Sequence, residues 1–180
     1  FSERLGLVKK ITLGGGLELM DAPLMKALVL FDEAVTWGEE HRKSARREGQ
    51  VRLVPESVSI IEKGPVRTVY ESEFRYKQSR MVMHTIAYAD WPVLEYRIRL
   101  HWSEARKRVK LSIPTRLKCD SVTAEIPGGH IVRAANGEEH VHGRWLLLED
   151  WIEGRNVALG IAHNGLHGFD ARRGEIRLSA

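Results

Sequence analysis

Apolar and polar residues alternate along several segments of the chain, most clearly at residues 65–76 and 93–102. Successive side chains of a strand point to opposite faces, so this period of two predicts half-buried β-strands. Further along, Arg108, Lys110 and Ser112 alternate with apolar residues and are expected to face solvent. We therefore predict antiparallel strands, each with one solvated face.

Glycine- and proline-containing turn signals separate these segments. They lie at residues 14–16, 63–65, 89–92, 127–129 and 135–139. No long amphipathic helical pattern and no internal repeat is present. Short strands with turns about every ten residues predict an all-β sandwich or barrel, and their number favours two large packed antiparallel sheets. The length of 180 residues predicts a single domain over residues 1–180.

The amino-acid composition limits the kinds of molecule that the chain is expected to bind. The net charge is +4 and the basic residues are scattered, which argues against a nucleic-acid partner. No apolar run is long enough to span a bilayer, so no membrane partner is expected. The lone Cys119 excludes an internal disulfide and favours a reducing, cytoplasmic compartment. Because the chain starts at Phe1, we interpret it as a segment of a longer protein, whose upstream part could carry a signal peptide.

Histidines are the first candidates for chemistry. His140 and His142 would share one face of a strand, which can support a metal site, but a third ligand at comparable spacing is missing and the context favours an exposed connection. His163 and His167 flank a glycine-punctuated loop after an apolar strand. Loops on a rigid β scaffold often carry binding residues, so both ligand contact and a plain surface turn stay open.

Two strand histidines support a different interpretation. His84 and His101 lie inside strand patterns, where an imidazole is usually a structural residue of the sheet. Sugar epimerases of the mutarotase type use a histidine and a glutamate on a sandwich face for proton transfer, and Glu95 or Glu104 could supply the acid. No spacing in the sequence enforces either pairing.

The five tryptophans divide by context. Trp102 and Trp145 are predicted to be in the core. Trp91 and Trp151 lie near turns and could cap the sandwich or meet a neighbouring domain. Trp37 lies in an apparent acidic loop and is a candidate for contact with a sugar ring or an interface, because aromatic faces stack on pyranose rings.

The order of several blocks resembles the carboxy-terminal β-sandwich region of family 38 α-mannosidases. The blocks are LVLFDEAVTWGEE, ESVSIIEKGPVRTVYESEFRYKQSRMVMHTIAY, LEYRIRLHWSEARKRVKLSIPT, AEIPGGHIVR, RWLLLED and VALGIAHNGLHGFDARRGEIRLSA. The third block carries the strongest likeness, through Trp102, Glu104, Lys110 and Pro114. The resemblance implies a large antiparallel two-sheet supersandwich of the galactose-mutarotase-like type.

The same resemblance implies a role without catalysis of its own. Members of the family are retaining α-mannosidases that hold zinc and their catalytic carboxylates in an upstream α/β domain and a helical bundle. No cofactor is therefore expected in this chain, and zinc is expected in the missing catalytic domain. The expected partners are those upstream domains and a mannose-containing carbohydrate, with a homo-oligomeric parent left open.

The resemblance also orders the candidate residues. Asn164, Gly168 and Asp170 are expected on a loop that faces the substrate cleft, followed by Trp37, and His163 and His167 lie on the same loop. In contrast, Trp102, Glu104, Glu125 and Arg133 are expected to be structural. A stand-alone mutarotase-like epimerase and a carbohydrate-binding module remain the alternative functions.

Overall fold

The computed structural model describes residues 1–20, 22–32 and 47–180, and their regular structure is almost entirely β. A 3-10 turn at Gly14–Gly16 is the one helical element within these ranges. No helix of the described residues is long and apolar enough to cross a membrane. The strands β1 to β15 are, in chain order, Lys26–Phe31, Arg47–Gln50, Arg52–Leu53, Ser59–Lys63, Arg67–Tyr76, Ser79–Tyr88, Leu94–His101, Lys107–Pro114, Ser121–Ile126, Gly129–Ala134, Asn136–Val141, Trp145–Ile152, Arg155–Ala162, Gly168–Arg172 and Glu175–Ser179.

Hydrogen bonding groups the described strands into three sheets. The six-strand sheet has the order β11-β14-β15-β8-β1-β2, and the four-strand sheet has the order β10-β9-β12-β13. The five-strand sheet has the order β3-β5-β6-β7, with β4 also paired to β5. The predicted all-β, antiparallel fold class is confirmed. Hydrogen bonding divides the described strands into three sheets, one more than the two that were predicted.

The packing of the chain separates two compact units within the predicted single domain. The first unit consists of residues 1–9 and 50–105 and contains the five-strand sheet. On one face of this sheet Phe74 lies opposite Met81, and both are buried. On the other face Glu73 forms ion pairs with Arg75 and Arg80. Alternation in the sequence therefore located the two faces correctly around Phe74. It was wrong at Val66, which was predicted to share the face of Phe74 but is 68% exposed, and Val69 on the opposite face is buried.

The second unit consists of residues 10–49 and 106–180 and contains the six-strand and four-strand sheets. Each of these sheets has a face of buried aliphatic and aromatic side chains. In the six-strand sheet they include Leu111 and Phe169, and in the four-strand sheet they include Val122 and Leu146. Burial of these apolar faces removes them from water and supplies the core of the unit.

Strand β8 corrects the prediction of a solvated face. The side chain of Lys110 is completely buried, and Ser112 is also buried. The reason is the position of β8, which lies between β15 and β1 in the six-strand sheet and is covered on both faces. Alternation correctly separated apolar from polar residues here but could not show that the polar face is also buried.

A network of opposite charges makes this burial tolerable. The Lys110 ammonium contacts a carboxylate oxygen of Glu139 and lies 2.7 Å from Oδ2 of Asp170. The Arg177 guanidinium donates to the other oxygen of Asp170, with Nε at 2.7 Å from Oδ1. The hydroxyl of Ser179 donates to Glu139 over 2.5 Å. The strand register places these residues on neighbouring strands β11, β14, β15 and β8. We call these five residues the charge network.

Replacing Lys110 by methionine tests the charge network. The variant keeps most of the side-chain volume but leaves the buried Asp170 and the part-buried Glu139 less well compensated, so we expect the free energy of unfolding to fall by about 3–5 kcal/mol. Urea denaturation followed by circular dichroism measures the change. The control is Lys10→Met, whose ion pair with Glu18 is largely exposed and should contribute little to stability. Equal losses in the two variants would contradict the prediction.

Candidate functional site

One end of the second unit brings three histidines together. Strand β12 pairs with β13 so that Trp145 lies opposite Ala162, and β11 pairs with β14 so that Val141 lies opposite Gly168. The turn before β12 and the loop after β13 therefore lie at the same end of their sheets. This places His142, His163 and His167 in contact, and we call them the histidine corner.

The hydrogen bonds of the histidine corner determine where its protons lie. The backbone N–H of Leu166 donates to Nδ1 of His163 over 3.1 Å, so that nitrogen carries a lone pair. In a neutral ring the proton of His163 is then on Nε2, which lies 2.6 Å from Nε2 of His142. His163 therefore donates and His142 accepts. Protonation of His142 would place two N–H groups against each other.

Burial reinforces this preference for neutral rings. The pKa of His142 is lowered to about 4, mainly by burial and next by the neighbouring His163, while a backbone hydrogen bond with His167 acts in the opposite direction. Burial also lowers the pKa of His163, with a smaller contribution in the same direction from His167. Both effects follow from the cost of placing a cation in a poorly solvated position.

A glutamate holds the turn beneath the histidine corner. The backbone N–H of Gly143 donates to the carbonyl of Glu125 over 2.7 Å, and the backbone N–H of Arg144 donates to the Glu125 carboxylate. A Cβ atom at position 143 would lie only 2.6 Å from Oε2 of Glu125, so a larger residue there would displace the Glu125 carboxylate. His167 adds a contact between its Nδ1 and the Gly143 carbonyl, at 3.0 Å. Glu125 therefore has the structural role that the sequence predicted.

The hydrogen bonding of the histidine corner does not suit a metal ion. Two Nε2 ligands would require His163 to carry its proton on Nδ1, directly against the N–H of Leu166. Across the parts of the chain that the structure describes, no group of three histidine, cysteine, aspartate or glutamate side chains is arranged to hold a metal. His140 and His142 both pack against Phe169, and His142 is buried. The interpretation of this segment as an exposed connection is therefore wrong, because it supplies side chains to the core.

The loop predicted to carry binding residues presents polar groups to solvent. Asn164 and His167 are exposed, and His163 is half-buried beneath them. An amide and an imidazole at these positions can donate and accept hydrogen bonds to the hydroxyl groups of a ligand. Trp37, the remaining aromatic candidate, lies outside the described residues.

Two predicted loop residues lie in a strand instead. Gly168 and Asp170 belong to β14, and the Asp170 side chain is buried in the charge network. A Cβ atom at position 168 would come within 3.0 Å of Glu139 and 3.1 Å of Ser179, so Gly168 provides space beside the same network. The expectation that Asp170 faces a cleft from a loop is wrong, because hydrogen bonding to β15 starts at Gly168.

The residues suggested for proton transfer have other partners than those considered from the sequence. Glu95 binds Tyr88 and Arg97, and Glu104 accepts hydrogen bonds from the backbone of Gln78 and the hydroxyl of Ser79. Among the residues that the structure describes, neither glutamate pairs with a histidine. His84 instead lies 2.7 Å from Glu71, directly across from it on the neighbouring strand. The register of β5 and β6 creates this pair, and the sequence analysis missed it because it had no means of aligning the two strands.

Comparisons with known proteins agree with this architecture. The family profile described as "Glycosyl hydrolases family 38 C-terminal domain" matches residues 1–180. The crystal structure of an α-mannosidase from Enterococcus faecalis V583 superposes with a TM-score of 0.70 at 9% sequence identity. The likeness covers 95% of this chain and 23% of that chain, so the present chain spans less than a quarter of the length of that protein. A search of curated protein sequences found no match.

The antiparallel sheets and the superposition define the fold class of the chain as all-β, shared with the matching part of that α-mannosidase. Within that class, the chain belongs to glycosyl hydrolase family 38 as a C-terminal domain. The resemblance stated from the sequence is thus confirmed.

The depressed pKa of His142 predicts a dependence of stability on pH. In the unfolded chain a histidine titrates near pH 6.5, so between about pH 6.5 and pH 4 the unfolded state binds more protons than the folded state. The contribution of His142 to the free energy of unfolding is therefore complete above this range. It is lost as the pH falls through the range, by an amount on the order of 2 kcal/mol. Urea titrations from pH 7.5 to about pH 4 measure this loss.

The variant His142→Gln should flatten that part of the profile, because a neutral amide replaces the titrating ring. His101→Gln serves as the control, since His101 is exposed and lies in the first unit. The prediction fails when the two variants and the unmodified protein share one pH profile.

Proposed function

We propose that the chain is the non-catalytic C-terminal sandwich of a retaining α-mannosidase, where it supports the catalytic domain and supplies a loop to carbohydrate binding. The observation that carries the proposal is the family match over residues 1–180. The mannosidase that superposes on the chain is consistent with it, since its fold is shared and the present chain corresponds to a minor part of its length.

The loop of residues 163–167 is the part proposed to meet carbohydrate. Its exposed Asn164 and His167 offer hydrogen-bonding groups. They are held on a fixed base by His163, whose ring contacts both Leu166 and His142. A fixed base limits the conformational entropy lost on binding, which favours weak polar ligands such as sugars.

The catalytic chemistry is proposed for the upstream domains of the parent. A retaining mechanism uses two carboxyl groups about 5 Å apart and a covalent glycosyl-enzyme intermediate. Zinc bound in that domain would hold sugar hydroxyl groups. Zinc is proposed in the upstream domain because the family resemblance implies it there.

The proposed partners and compartment follow from the same assignment. The partners are the upstream catalytic and helical domains and a mannose-containing carbohydrate, in a parent that could be a homo-oligomer. A cytoplasmic location is proposed because the single cysteine, Cys119, is a free and partly buried thiol. Burial raises the pKa of this thiol and so keeps it in its less reactive protonated form.

One observation favours a second candidate, a sugar epimerase. The His84–Glu71 pair combines an imidazole with a carboxylate on the polar face of the five-strand sheet, and Arg97 lies opposite His84 on the next strand. Such a pair could accept and donate a proton. Polarimetry discriminates the two functions, because only an epimerase accelerates the exchange of hexose anomers and loses that activity in His84→Gln.

Hydrolysis of an aryl α-mannoside tests the proposed function. We expect turnover by the full-length protein with zinc present and none by residues 1–180 alone. In the full-length protein, the double variant Asn164→Ala, His167→Ala should raise KM by about 5- to 150-fold, because each of the two lost hydrogen bonds contributes roughly 0.5–1.5 kcal/mol.

The matched control for the loop is Asn156→Ala, at an exposed position on β13 of the same unit. This variant should keep the KM of the unmodified protein. Turnover by residues 1–180 alone would refute the non-catalytic role, and the absence of turnover in the full-length protein would refute the mannosidase assignment.

A further inference from the structure

Basic side chains form a row across one end of the five-strand sheet. Arg52 of β3 lies opposite Arg75 of β5, which in turn lies opposite Arg80 of β6. Arg80 lies opposite His101 of β7. Residues directly opposite each other on paired strands share one face of the sheet, and Arg99, two residues before His101, shares it as well. We call these five residues the basic cluster.

Two members of the basic cluster are joined by one carboxylate. Nε of Arg75 lies 3.0 Å from Oε1 of Glu73, and Nη2 of Arg80 lies 2.6 Å from Oε2 of the same residue. Hydrogen bonds from Arg80 and then Arg75 lower the pKa of Glu73, so this carboxylate is ionised at neutral pH. The two arginine side chains are nevertheless 64% and 56% exposed. Glu73 therefore holds both guanidinium groups in place while leaving part of each open to solvent.

The sheet does not balance the charge of the basic cluster. Arg52 and Arg99 are exposed, and neither side chain forms a hydrogen bond or ion pair with another described residue. Val82 lies between Glu73 and Arg99 in the register, so this carboxylate is two strands away from Arg99. Four arginines against one glutamate leave three positive charges, without counting His101. Like charges on directly opposite residues destabilise a sheet, so this arrangement is costly unless an anion is bound.

Opposite charges are matched elsewhere on the same face. The described ion pairs there are Glu62–Arg67, Glu71–His84 and Glu95–Arg97. Glu104, beyond the end of β7, binds the hydroxyl of Ser79, which is buried on the opposite face. Basic residues on edge strands can prevent the addition of a further strand, but Arg75 and Arg80 lie on the internal strands β5 and β6. The excess positive charge at this end of the sheet is therefore available to an anion.

We propose that the basic cluster is a binding site for a tetrahedral oxyanion, the phosphate or sulfate group of a small molecule. Arg80 is at its centre, with Arg75 and His101 on the flanking strands and Arg99 on the diagonal. Guanidinium groups donate paired hydrogen bonds to such oxygens, and a doubly charged group matches the excess of positive charge better than a single carboxylate does. The inference goes beyond the proposed function and does not rest on it, because the 163–167 loop takes no part.

Calorimetric titration of the full-length protein with inorganic phosphate, at neutral pH and constant ionic strength, tests the site. We expect saturable binding, and Arg99→Gln should raise Kd by about 10-fold or more, because a hydrogen bond to a charged group is lost. Arg99 is exposed and has no described partner, so its replacement leaves the fold intact. The absence of saturable binding, or an unchanged Kd in the variant, overturns the inference.

The matched control is Arg67→Gln, which removes the same charge from the same face of the sheet. Arg67 precedes Arg75 on β5 by eight residues, or roughly 26 Å along the strand. This separation exceeds the screening length of about 10 Å at 0.1 M salt, and Arg67 has its own partner in Glu62. The control should therefore keep the Kd of the unmodified protein. An equal rise of Kd in both variants would attribute binding to net charge alone and overturn the inference.

Further ligands distinguish the molecules that could carry the oxyanion. Glucose 6-phosphate that binds more tightly than inorganic phosphate supports the site with a phosphate ester as its ligand, and equal or weaker binding supports it with the free ion. Inorganic sulfate, titrated in the same way, should bind with the same dependence on Arg99. An oligoglutamate peptide that binds when neither phosphate nor sulfate does would indicate an acidic protein segment and overturn the inference.

Discussion

The burial of the Lys110 ammonium is the constraint on which the second unit depends. An uncompensated charge at a fully buried position would cost several kcal/mol, so β8 can occupy the middle of the six-strand sheet only if carboxylates reach it. Glu139 and Asp170 meet this need from β11 and β14. Asp170 adjoins Phe169, whose ring packs against His142 on the apolar face. The ionic and aromatic faces of β14 therefore set the position of the histidine corner.

The sequence predicted the fold class well because alternation is a local property. In β7 the predicted faces agree with the observed burial, and in β5 they agree around Phe74 but not at its start, where Val69 is buried on the predicted polar face. Alternation failed at Lys110 for a physical reason. A period of two tells which side chains share a face, but the covering of that face depends on distant strands, here β11, β14 and β15.

The candidate site shows the same limit more strongly. The 163–167 loop could be found from its glycines and histidines, whereas the start of β14 at Gly168 could not, because it is fixed by pairing with β15. His142 was identified as a histidine but not as a partner of His163, since their contact joins the ends of two non-consecutive strands. The one available signal was the recurrence of histidines near predicted strand ends.

The hydrogen bonds through the histidine corner run in one direction, from the Leu166 amide through His163 to His142. This polarity restricts which sequences can share the structure. A replacement at position 163 must accept at one end of the side chain and donate at the other, which among uncharged side chains leaves asparagine and glutamine. Hydroxyl or aliphatic replacements would need a compensating change at position 142. Substitutions at the two positions are therefore expected to be correlated among related sequences, although the positions are twenty-one residues apart.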